Sequence, residues 1–282
     1  MAKQQSDLAE LINRLPDPDE RGLLSTIDKE TVDDVTSRIH EGGRTTLRAL
    51  VDLLAEPGQG DDVKPRYALH CLAVYVCKLG DRQGRRAFAK ALASELGGDR
   101  PKAVQEYLIQ QLQVAGGQES VPALGQMLLD EQLCEAAAQA LTAIGDGAAE
   151  QFRGALPKVP GKSRLTVIQN LGVLRDVRSA DAIKEALGDE DREVRLTAGW
   201  ALANIGDASS ADLLLKAADA QEAYERIKAT KACLLLAERL LAAGKKEPAA
   251  KIYRHLHGTR SGPDEAYICE LAKEGIAAAE SK

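Results

Sequence analysis

From Lys102 to Ala218 apolar side chains recur at three- and four-residue intervals, in short blocks separated by breaks containing Gly or Asp. That pattern predicts short amphipathic helices in series. The clearest block carries Val194, Ala198, Ala201, Leu202 and Ile205 and stops at Gly206, whose missing Cβ permits a left-handed cap. It resumes after Asp207, a capping residue type, with Ala211, Leu214 and Ala218 on one face of a second helix. Because only a few residues join the two helices, they are expected to lie antiparallel, and neither can hide its apolar stripe alone.

The same unit is written four times, over residues 102–127, 130–156, 162–187 and 191–218. Its landmarks Gly117, Asp146, Asp176 and Asp207 are 29, 30 and 31 residues apart, and Asp81 stands 36 residues before the first. A period near 30 predicts stacked helical hairpins, each burying its neighbour's exposed stripe. The expected organisation is an N-terminal helical cap over 1–60, repeats over 61–220 and a C-terminal helical cap over 221–282, forming one continuous solenoid. Within the first cap, Pro16 and Pro18 precede helical patterns at Thr31–His40 and Arg44–Ala55, and Glu56–Pro65 reads as a loop.

Composition narrows the function. Aromatic residues make up only 3% of the 282-residue chain against 44% hydrophobic residues overall, so the core is expected to be aliphatic helices and not a β-sandwich. The net charge is −6, and a mildly basic stretch at 61–115 is followed by an acidic one at 116–220. No basic groove is available for nucleic acid. The N-terminus lacks a secretory pattern, and no run of 18 uncharged apolar residues occurs, so a soluble, cytoplasmic chain without membrane contact is expected. Cys71, Cys77, Cys134, Cys233 and Cys269 form no C-x-x-C pair and read as reduced thiols. Phosphate-loop, metalloprotease and nucleophile-elbow motifs do not occur. His255 and His257 are two apart, which on a helix points them away from each other, and no metal or other cofactor is expected. Arg85, Arg86 and Lys90 read as a solvated convex face.

Asp191, Val194, Arg195, Ala198, Ala201, Leu202, Ile205, Gly206 and Asp207 closely resemble the short HEAT-like repeats also found in phycobilin lyases. The resemblance spans about 62–220 and departs from the pattern at Cys134, which replaces the usual Arg, and at Arg175, which replaces the turn Gly. It implies an all-α fold, an α-α superhelix of stacked antiparallel helix pairs. Leu240–Leu256, with Gly244, Ala249 and Tyr253, resembles half of a tetratricopeptide repeat. HEAT-like iron hydroxylases use several His-Glu pairs, whereas this chain has only His40-Glu41. The enzyme alternative is a phycobilin-lyase-like activity on a tetrapyrrole, for which no residue here identifies a pocket.

In HEAT-like solenoids the helix bearing Val194 and Arg195 lines the concave side, and the positions outside its buried stripe include Arg192, Glu193, Leu196, Thr197, Trp200 and Asn204. Shifted by the repeat landmarks, Trp200 corresponds to Gln169, Gln139, Gln110 and Val74. Tyr67, His70 and Tyr107 fall on the same expected face. Amides match the donors and acceptors of an extended backbone, and rings add apolar contact at low entropy cost. The arrangement resembles the amide and tryptophan ladder of armadillo proteins. The expected function is therefore a non-catalytic scaffold that holds a peptide or protein segment on Tyr67, His70, Tyr107, Gln110, Gln139, Gln169, Trp200 and Asn204.

Overall fold

A computed structural model describes residues 2–17, 19 and 28–281, and Pro18 lies outside the described residues. The chain is all-α: among the described residues no strand occurs. It divides into two compact units, Met1–Gln151 and Phe152–Lys282.

The first unit contains α1 (Ala2–Asn13), α2 (Lys29–Glu41), α3 (Gly43–Val51), α4 (Val63–Lys78), α5 (Arg82–Ala93), α6 (Lys102–Ala115), α7 (Val121–Met127) and α8 (Cys134–Ile144). Helix α9 (Ala148–Ala155) holds the point of division. Helices α4, α6 and α8 pack side by side, with α5 against α6 and α7 against α8. The pair α2 and α3 repeats this arrangement one step earlier, α2 meeting α4 and α3 meeting α5. Helix α3 stops short of the pattern that reached Ala55. It ends at Val51, where Leu53 and Leu54 N–H tighten onto the Leu50 and Val51 carbonyls, and beyond it the Asp62 carboxylate accepts the Ala55 N–H at 2.9 Å. Asp62 also ends the loop early, so that Pro65 falls in the first turn of α4, where its missing N–H costs nothing.

The second unit contains α10 (Gly161–Val173), α11 (Ala180–Glu185), α12 (Arg192–Ile205), α13 (Ala211–Ala218), α14 (Ala223–Ala242), α15 (Lys246–Thr259) and α16 (Ala266–Glu280). Asp191 caps α12 by accepting the Glu193 N–H at 2.8 Å. Val194, Ala198, Ala201 and Leu202 are buried on one face, as the spacing requires, and Ala211, Leu214 and Ala218 are buried on α13. Each fully buried leucine contributes about 1.5–3 kcal/mol, so a stripe of this kind outweighs the helix's own propensity. Gly206 takes the left-handed conformation (φ 79°), and Asp207 caps the following turn by accepting the Ser209 N–H at 3.3 Å. At the equivalent turn after α10 no glycine is present, and Arg175 itself adopts φ 52°. The backbone of that turn closes in the same way, Asp176 N–H donating to Leu171 C=O and Asp207 N–H to Leu202 C=O.

The turn aspartates do more than cap. Arg153 donates to Asp176 at 2.6 Å, and Lys184 lies 3.0 Å from Asp207. The basic partner stands 23 residues ahead of its aspartate in both cases, so each hairpin grips the turn of the next. Further along, Gly244 turns the chain between α14 and α15 at φ 72°, while Ala249 and Tyr253 are buried.

Candidate functional site

In the first unit the expected face is built on α4, α6 and α8. Tyr107 is half-buried: its hydroxyl donates to the Arg66 carbonyl at 2.6 Å, and the Arg66 guanidinium stands 4.8 Å from the ring centre. Burial pushes the Tyr107 phenol up to about 12, against the opposing charge of Arg66. His70 is exposed, with Nδ1 3.0 Å from Gln111 Oε1. Because the Gln111 amide nitrogen donates to the Tyr107 carbonyl, its oxygen faces the ring, which makes Nδ1 the donor and leaves Nε2 outward as an acceptor when the ring is neutral. Tyr67 is half-buried, and burial with a hydrogen bond to Cys71 raises its phenol to about 12. Gln139 is exposed and donates to Glu135 one turn earlier at 3.2 Å. Gln110 is exposed and has no hydrogen-bond partner among the described residues.

In the second unit, Gln169 on α10 is exposed and likewise unpartnered among the described residues. Trp200 on α12 is partly buried. Its six-membered ring seats over Gly172, where a Cβ would come within 2.8 Å of both Trp200 Cζ3 and Ala201 Cα. The indole N–H has no partner among the described residues. Asn204 is differently placed: its amide nitrogen donates to the Gly172 carbonyl at 2.9 Å, and its oxygen accepts from Arg239 at 3.0 Å. Asn204 thus ties α10, α12 and α14 together, and both ends of its carboxamide are already engaged. Arg239 was not anticipated as its partner. It lies 35 residues away on the first long helix of the C-terminal segment, outside the repeat register.

The histidines at the C-terminal end diverge as helix geometry requires. His255 Nε2 meets Asp219 at 3.0 Å, and His257 Nδ1 lies 3.1 Å from Cys269 Sγ. Among the described residues no group of three or more His, Cys, Asp or Glu could hold a metal ion, and no helix is long and apolar enough to cross a membrane.

No curated protein sequence matches this chain. Among solved structures, the CpcE–CpcF complex of phycocyanin lyase from Nostoc sp. PCC7120 is 19% identical with a TM-score of 0.39, covering 83% of this chain and 94% of that one. The archaeal HEAT-like repeats protein from Thermococcus onnurineus NA1 is 15% identical with a TM-score of 0.40 and 98% coverage of both chains. Human deoxyhypusine hydroxylase in complex with glycerol is 14% identical with a TM-score of 0.35, again with 98% coverage of both. The family model for HEAT repeats matches residues 154–233, the stretch that contains α10 to α13. Residues 154–233 are thus similar in sequence to HEAT repeats, and the paired helices and the period near 30 liken the rest of the repeat region to them.

Proposed function

We propose that the protein is a non-catalytic, cytoplasmic interaction scaffold that holds a peptide or protein segment on the first-helix face of its repeats, the concave face of such solenoids, with 1–60 and 221–282 as helical caps. One observation carries this reading: Gln110 and Gln169, which hold equivalent repeat positions, expose carboxamides that no described residue engages. An exposed amide with free donors and acceptor suits an extended backbone, which presents both along its length. In the second unit the indole N–H and ring of Trp200 add an amphipathic anchor of the kind that dominates interfaces. Tyr67, His70 Nε2 and Gln139 are the further contact points in the first unit, whereas Tyr107 and Asn204 belong to the supporting frame. All five cysteines are free thiols, which suits a reducing compartment.

The test is affinity capture with the full chain beside the Trp200→Ala/Gln169→Ala double variant, followed by titration of a peptide from any partner retained. Loss of that partner by a variant with unchanged helical content and melting temperature supports the reading. Undiminished binding by the double variant overturns it.

A further inference from the structure

Within the first unit, α2, α3, α4 and α5 enclose a cavity of about 420 Å³. Its walls are Ile39, Leu47, Leu72 and Phe88, all buried and apolar. That volume is in the range of small-molecule sites, which lie at about 300–1,000 Å³.

The mouth has a different character. His40, Arg44 and Lys90 line it, and among the described residues the one carboxylate nearby is that of Asp81, next to the lining Gly84. Elsewhere in this unit cations are commonly neutralised: Arg66 by Asp62, Arg100 by Asp52 and Glu95, Lys102 by Asp130. Arg44 and Lys90 have no carboxylate partner among the described residues. The Arg44 guanidinium is held at the opening by donating to Ser94 Oγ at 3.3 Å, and Ser94 in turn donates to the Ala91 carbonyl at 2.6 Å. Asp81, beside Gly84 on the rim, already accepts the Gln83 N–H at 2.9 Å as the cap of α5. The ring of His40 packs edge-on to Tyr75, with centroids 5.7 Å apart, which fixes it in the wall. Lys90 thus belongs to a built opening, while Arg85 donates to the Ala115 and Gly116 carbonyls and Arg86 lies 3.9 Å from Glu119.

An apolar hole with two unneutralised cations at its mouth matches a molecule with an apolar body and one anionic end. We propose that this cavity binds a small amphiphilic carboxylate, such as a medium-chain acyl acid, with its tail among Ile39, Leu47, Leu72 and Phe88 and its carboxylate between Arg44 and Lys90. A guanidinium offers a carboxylate two parallel donors, and the ammonium adds a point charge. The head group contributes selectivity and the apolar wall contributes affinity.

Isothermal titration of the full chain with decanoate, decanol and acetate, each kept below its aggregation concentration, tests this. Decanoate should bind saturably at one site per chain, decanol about tenfold more weakly, and acetate not at all. Arg44→Gln/Lys90→Gln should lower decanoate affinity to that of decanol. Ala87→Phe, which enlarges an exposed wall residue without touching the core, should abolish decanoate binding with circular dichroism unchanged. Equal affinities for decanoate and decanol, binding by either variant at the native level, or absence of decanoate binding would overturn the proposal.

Discussion

Asn204 on α12 donates to the carbonyl of Gly172 on α10 at 2.9 Å while its oxygen holds the guanidinium of Arg239 on α14. A single carboxamide therefore fastens α10, α12 and α14 to one another. Replacing it with alanine leaves the half-buried Arg239 without that acceptor, and an unmet polar group of this kind costs about 1–3 kcal/mol. Asn204→Ala should lower stability by about that amount, read as a drop in the urea midpoint. An unchanged midpoint would show that water replaces both bonds.

Gly172 is the second half of the same contact. A methyl group there meets backbone on Ala201 and ring on Trp200, neither of which is a flexible chain end. Gly172→Ala should cost about 1–3 kcal/mol through overpacking, despite the higher helix propensity of alanine. The fluorescence maximum of Trp200, the sole tryptophan, should shift at the same time. A more stable variant with unaltered fluorescence would contradict the described packing.

The left-handed conformation of Arg175 predicts the opposite sign. Its side chain is exposed and its φ of 52° is one that glycine adopts freely. Arg175→Gly should raise stability by about 1 kcal/mol, visible as a higher thermal midpoint. Arg175→Ala, which keeps the Cβ and the backbone strain, should not reproduce the gain.

Acid sensitivity follows from the cluster around Arg260, whose side chain is fully buried. It donates to the Ala218 carbonyl at 2.6 Å and reaches Asp219 at 3.4 Å, while Glu265 lies 3.5 Å from its Nε. Burial pushes the Asp219 carboxyl up, but hydrogen bonds and charge from His255 and Arg260 outweigh it and hold the group below its ordinary range. Glu265 is likewise held low, chiefly by its hydrogen bond from Arg226. A carboxylate whose folded value lies below its unfolded value stabilises fully above the unfolded value, near about 3.9 for Asp, and loses that contribution as pH falls through the folded value. Stability should therefore decline below about pH 4. Asp219→Asn should lower the neutral-pH midpoint and make the acid limb shallower, measured by urea unfolding at a series of pH values. An identical pH profile would exclude Asp219 as a contributor.

How far the sequence spoke depended on whether a feature repeats. The helix phase, the left-handed turn at Gly206 and the cap at Asp207 follow from residue types recurring near every 30 positions, and the helices form there. The same phase puts Gln110, Gln139 and Gln169 on the surface, because polar positions opposite a buried stripe stay exposed. What the phase cannot encode is a partner outside the register. Asn204 shares the outward side with Trp200, yet it is engaged by Arg239, a residue of a helix that does not follow the repeat. Tyr107 is similarly taken up by the main chain of Arg66. The cavity escapes pattern reading for a related reason: Ile39, Arg44, Leu72 and Lys90 come from four helices, two of them before the first recognisable repeat.

The grip of Arg153 on Asp176 and of Lys184 on Asp207 has a modular consequence. Arg153 and Lys184 are 31 positions apart, as are the two aspartates. Excising residues 154–184 would bring Arg153 into the place of Lys184, facing Asp207 across an unchanged interval. A shortened chain would inherit a complementary latch at the seam, so gain or loss of a whole hairpin need not leave an orphaned charge.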